Sequence, residues 1–151
     1  MTTPKFSLQN VLDIRHDKVE RLEIKLSNLL AACQKTEILL LSFKESQIFY
    51  MERLNTIQSG EIDLVEMNFL RSNILLLDER IRIVSLELAR QKQDVEEKRT
   101  ELIKAKQGEE TLEILKKKRN EVYLEEQVQI EARIQDDIYI ARAFRNQHLG
   151  V

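Results

Sequence analysis

Hydrophobic positions between Met67 and Ala105 recur at alternating steps of three and four. The series runs Met67, Leu70, Ile74, Leu77, Ile81, Val84, Leu88, Gln91, Val95, Lys98, Leu102 and Ala105, and ten of these twelve are apolar. A repeat of about 3.5 residues gathers apolar side chains into one helical stripe, and only another long helix buries such a stripe along its whole length. The first part of the chain supplies one. Val19, Leu22, Leu26, Leu29, Cys33, Thr36, Leu40, Phe43, Gln47, Tyr50, Leu54 and Ile57 follow the same stepping, with ten of twelve apolar when Cys33 and Tyr50 are counted. Leu12 and Leu8 extend this stripe upstream.

Between the two seams, Ser59-Gly60 is the turn signal. A short connection makes the flanking helices antiparallel neighbours. With Ile57 facing Met67, paired residue numbers sum to about 124, so Val19 faces Ala105 and Lys5 faces Arg119. The pattern predicts an all-α fold, a long antiparallel two-helix coiled coil (an α-hairpin) with a C-terminal helical extension. Residues 1–151 form one coiled-coil domain, with helix one over about 5–57, a turn over about 58–66 and helix two over about 67–148. Thr3-Pro4 reads as the start of helix one, since Thr caps free N–H groups and Pro fits a first turn.

After Ala105 the stepping lands on Glu109, Lys116, Arg119 and Glu126, and the strict apolar seam is lost. Gly108 costs a helix about 1 kcal/mol relative to Ala, but helix formers dominate on both sides of it, so the helix is expected to continue to the C-terminal region, with room for a kink near Gly108. By the pairing rule, residues 120–151 project beyond helix one. They carry Tyr123 and Phe144, and Ile130, Ile134, Ile138 and Ala141 fall on one face. An apolar stripe without a partner in its own chain calls for one from another chain.

Composition sharpens this picture. Three Gly, one Pro and 33% charged residues suit very few, very long helices rather than a compact globule with many turns. A net charge of −2 gives no electrostatic case for nucleic acid or an anionic membrane. The single Cys33 lies on the seam and reads as a buried structural thiol in a reducing compartment. The apolar runs fall short of the ~20 residues that span a bilayer, and the start has no signal-like h-region, so a soluble cytoplasmic chain is expected. No enzymatic activity, cofactor or metal is expected: His16 and His148 lie near opposite ends of the chain, the glycines are isolated, and no Cys/His ligand spacing occurs. Lys116-Lys117-Lys118-Arg119 reads as a solvated face balanced by neighbouring glutamates. Leu39, Phe43 and Tyr50 lie along one side of helix one, with Leu77, Arg80 and Val84 opposite by the register. Packing accounts for the seam members among them, and the group is also a candidate partner patch.

Three stretches resemble a known family. Phe6-Ser-Leu8-Gln9-Asn-Val11-Leu12-Asp13-Ile14-Arg15 is similar to the opening of the flagellar export protein FliJ. Cys33-Gln34-Lys-Thr-Glu37 with Leu40 and Tyr50 resembles the middle of that family's first helix. Leu112-Glu113-Ile-Leu115-Lys116-Lys-Lys-Arg119, followed by Tyr123, Glu126, Asp136-Asp137-Ile138, Arg142 and Phe144, resembles its C-terminal region. The resemblance implies a non-enzymatic stalk of the type III export apparatus, similar to the central stalk of rotary ATPases. Its implied partners are a hexameric export ATPase, the cytoplasmic domain of the export gate and export chaperones. It implies a cytoplasmic protein, peripherally associated with the inner membrane at the flagellar base through those partners. On this sequence, Tyr123, Ile130, Ile134, Ile138, Ala141 and Phe144 become the candidate ATPase contacts, and Leu39, Phe43, Tyr50 and Leu77 the candidate gate contacts. The alternative is a generic cytoplasmic coiled-coil scaffold that self-associates through its C-terminal helix. A stalk is expected to be monomeric at micromolar concentration, whereas such a scaffold is not.

Overall fold

The computed structural model describes residues 5–61 and 63–149. The chain is an all-α helical hairpin of two long helices packed on each other, α1 (Gln9–Gln58) and α2 (Leu64–Leu149). All twelve seam positions of each helix are buried or half-buried. The most buried apolar side chains include Val19, Leu22 and Cys33 on α1 and Met67, Leu70, Leu77, Leu88, Val95 and Leu102 on α2. A spacing read from residue types alone thus coincides with the face that packing protects.

Packing divides the chain into two units. One comprises Glu20–Lys104 and contains the turn; the other comprises Met1–Val19 with Ala105–Val151. In the first unit the helices are tied by Gln47, which donates from Nε2 to the Ile74 carbonyl at 3.3 Å and to the Asp78 carboxylate. The Arg80 guanidinium lies 5.9 Å from the centre of the Phe43 ring, and Arg53 pairs with Glu66 at 3.2 Å. In the second unit Arg15 Nη1 donates to the Gly108 carbonyl at 2.7 Å, and His16 Nδ1 lies 2.6 Å from Glu109 Oε1. The Arg80–Phe43, Arg15–Gly108 and His16–Glu109 pairs each fall within one residue of the sum of 124 expected for the antiparallel register.

The turn is made by local polar contacts. Ser59 Oγ donates to the Thr56 carbonyl at 2.8 Å, and Gly60 N donates to the Ile57 carbonyl at 3.3 Å. Gly60 has no positive φ, and a Cβ there would meet nothing within 4 Å, so this turn does not depend on glycine's backbone freedom. Asp63 caps α2: its Oδ1 accepts from Val65 N at 3.0 Å and from Glu66 N at 3.4 Å. That cap starts α2 at Leu64, ahead of the Met67 expected from the seam. The Asp63-Leu-Val-Glu66 spacing is a capping signature that the apolar stepping does not register.

At the other end, α1 begins at Gln9 rather than near Lys5. Residues Ser7 and Leu8 form a turn, with Gln9 N bonded to the Phe6 carbonyl at 3.0 Å. The expected start at Thr3-Pro4 lies outside the described residues. Helix α2 runs through Gly108 without interruption, and no glycine has a positive φ among the described residues. The side of Gly108 is covered by Arg15, whose Nη1 would sit 3.5 Å from an added Cβ, an ordinary contact distance.

Two substitutions test this packing. Gly108→Ala is expected to stabilise the chain by about 0.5–1 kcal/mol, because the helix gains propensity and the new methyl fits beside Arg15. Leu102→Ala is expected to destabilise it by about 2–3 kcal/mol through the cavity left in the seam. Urea unfolding followed by circular dichroism reads both, and a loss of stability in Gly108→Ala would contradict the contact described.

Candidate functional surfaces

The unit formed by the two chain ends is built around Phe6. Its ring is buried although it precedes α1, and the Arg119 guanidinium lies 5.5 Å from the ring centre. Arg119 Nη1 also donates to Ser7 Oγ at 2.8 Å, and Lys116 Nζ donates to Gln9 Oε1 at 2.8 Å. Leu12 and Leu112, which the register pairs, are also buried in this unit. The loss of the apolar seam after Ala105 is therefore a change in its chemistry rather than an end of packing. Glu109, Lys116 and Arg119 carry the register onward through polar and cation–π contacts. Lys117, Lys118 and Arg119 are exposed, as a solvated face requires, but Lys116 and Arg119 also engage the first helix and its leading turn.

Beyond Arg119 the surroundings change within one turn. Asn120, Tyr123 and Gln127 are half-buried, and every residue from Val128 to His148 is exposed. The stripe Ile130, Ile134 and Ile138 is 48%, 52% and 48% exposed, and Ala141 and Phe144 continue it. Phe144 stacks on His148 with ring centres 4.2 Å apart. An exposed apolar stripe of this kind is the sort of surface that a further helix or another chain can cover.

The second surface lies in the unit containing the turn. Leu39 is 44% exposed, and Phe43 and Tyr50 are half-buried. Tyr50 meets Phe49 edge-on, with ring centres 5.8 Å apart. Leu77 is only 7% exposed and packs in the seam, where the apolar stepping also put it. The apolar stepping overlooked a stripe on α2: Phe69, Leu76 and Ile83 are all exposed and recur every seven residues. Arg80, seated over Phe43, lies one turn from both Leu76 and Ile83, so this stripe borders the same edge of the hairpin as Phe43. A search for a second heptad track beside the seam would have found it in the sequence.

Ion pairs on the outer face of α2 are local. Arg82 hydrogen-bonds to Glu79, and Arg90 to Glu87, each at 2.5 Å; these bonds hold both carboxyls below the usual range. Three of the four side chains are exposed and Glu87 is half-buried, and pairs of this kind contribute little to stability. Among the described residues, no group of three His, Cys, Asp or Glu is placed to hold a metal ion, and no helix is long and apolar enough to cross a membrane.

Comparison with protein-family models matches residues 4–148 to the flagellar FliJ protein family. The chain belongs to the FliJ family. The match covers the opening decad, both helices and the projecting tail, and FliJ membership implies a stalk-type role in flagellar export. No curated protein and no solved structure matches the chain.

Arg119→Ala removes the cation–π contact to Phe6 and the bond to Ser7. Amide hydrogen exchange of Phe6 to Leu12 is expected to accelerate by about fivefold, in line with a loss of about 1 kcal/mol, while exchange at the Leu70–Leu88 seam stays unchanged. Equal acceleration at both places would show that Arg119 does not act on the leading turn.

Proposed function

We propose that this chain is the non-enzymatic stalk that couples the hexameric export ATPase to the cytoplasmic domain of the flagellar export gate. The observation that carries the proposal is the projecting tail, whose isoleucine stripe is half-exposed and unmatched by α1, in a chain of the FliJ family. In this reading Tyr123, Ile130, Ile134, Ile138, Ala141 and Phe144 enter the ATPase ring. A single asymmetric helix inside a six-fold ring touches each subunit differently. Those differential contacts bias subunits towards different nucleotide states, and by linkage the nucleotide state biases the grip on the helix.

The gate-facing surface is proposed on the edge that carries Leu39, Phe43 and Tyr50, extended by Phe69, Leu76 and Ile83. Leu77 supports that edge from the seam. Export chaperones are further proposed partners. Association with the inner membrane at the flagellar base runs through these partners, since no described helix is suited to span a bilayer.

The test is ATP turnover by the purified export ATPase of the same organism, with and without the full chain. Stimulation is expected, and it is expected to be lost when residues 123–151 are deleted. Double substitution Ile130→Asp with Ile138→Asp is expected to reduce stimulation at least tenfold, since each buried isoleucine contributes about 1.5–3 kcal/mol. An active, ring-forming ATPase that ignores the chain would overturn the proposal and leave a coiled-coil scaffold.

A further inference from the structure

Four positions of the two seams carry polar side chains: Thr36 and Gln47 on α1, Gln91 and Lys98 on α2. Gln47 is satisfied across the hairpin by Ile74 and Asp78. The other three fall together. By the register Leu26 faces Lys98, Cys33 faces Gln91 and Thr36 faces Leu88, so they occupy one run of layers inside the unit Glu20–Lys104. Thr36 Oγ1 donates back to the Ala32 carbonyl of its own helix at 3.1 Å, and Lys98 Nζ to Glu101 of its own helix at 3.2 Å. Gln91 Oε1 is buried with no hydrogen-bond partner. The Lys92–Glu37 pair crosses the hairpin beside these layers, but at 3.7 Å and in an exposed position it contributes little. Leu29, within the same run, lines two shallow grooves of about 360 and 250 Å³, and Lys98 lines both of them as well.

We infer that these layers form a joint in the hairpin: residues 26–36 and 88–98 part from each other under native conditions while the seam on either side stays paired. Opening elsewhere gives up apolar burial and gains nothing in return. Opening here lets water reach the Gln91 acceptor, which ends its desolvation penalty, and frees the Lys98 stem from a seam position its ammonium has already left. The layer of Gln47 is the contrast, because parting there would break two bonds that cross the hairpin. Local openings arise where apolar contacts are few and polar groups poorly satisfied, and both conditions meet in this run. A rod with one such joint yields there first, and the paired lengths beyond it keep their register. The inference concerns the hairpin itself and holds whatever the chain binds.

Cys33 is the chain's single cysteine and lies in these layers at 8% exposure, so its own thiol reports the opening. Alkylation of Cys33 by iodoacetamide is followed in the full chain at increasing urea. The rate is expected to stay flat at low urea, because a local opening exposes little surface, and to climb only where global unfolding takes over. Gln91→Leu removes the orphaned acceptor and is expected to slow the low-urea rate by about tenfold. Amide hydrogen exchange is expected to be faster over residues 88–98 than over residues 70–84. A rate that climbs from the lowest urea along the slope of global unfolding would overturn the proposal, since Cys33 would then react only from the unfolded chain. An unchanged low-urea rate in Gln91→Leu would overturn it too, as would equal exchange in the two segments.

Discussion

The lateral burial of one seam against another sets everything else in this protein. Each helix is too polar to persist on its outer face alone, and neither has a third layer to pack against. The stability of the hairpin comes from side chains such as Leu22, Leu70, Leu88 and Leu102, which leave water only because the opposite helix lies at the matching register. A slip by one heptad would move apolar groups into water at one end and leave polar groups facing apolar ones at the other. The polar ties, Gln47 to Asp78 and Arg15 to Gly108, fit only the observed alignment and so specify it more than they stabilise it.

The seam also contains a weak point. Gln91 occupies an inward position, and its side-chain Oε1 is buried without a hydrogen-bond partner. The register sets Cys33 opposite, a small side chain with only a weak donor. An apolar residue at position 91 would pack without leaving an orphaned acceptor, so this layer lowers stability in the middle of an otherwise apolar seam. Polar residues at such positions are a known means of fixing coiled-coil alignment at a cost in stability.

Much of this was legible in the sequence because a coiled coil exposes its logic in one dimension. The 3.5-residue repeat identified both helices, the single Ser59-Gly60 signal located the turn, and equal seam lengths fixed the register. The repeat was silent where other physics took over. Asp63 begins α2 through a cap, which depends on side-chain geometry rather than hydropathy. The register carried the pairing past Ala105 to Arg119, but Phe6 is buried beside an arginine, so the kind of contact made there could not be read from apolar stepping. Leu77 belongs to the seam and also lies near an apolar edge, and sequence periodicity alone did not separate those two positions. Phe69, Leu76 and Ile83 form a second heptad track beside the seam, and stepping along the seam does not pass through it.

The unbroken passage of α2 through Gly108 and past Arg119 has a thermodynamic consequence for whatever binds the tail. A helix started afresh must fix a first turn before any hydrogen bond repays it, and short isolated helices are marginal for that reason. Here the paired part of α2 has already met that nucleation cost, and the tail only propagates an existing helix. A partner therefore meets a surface ordered in advance and does not supply the ordering entropy that a disordered segment would demand.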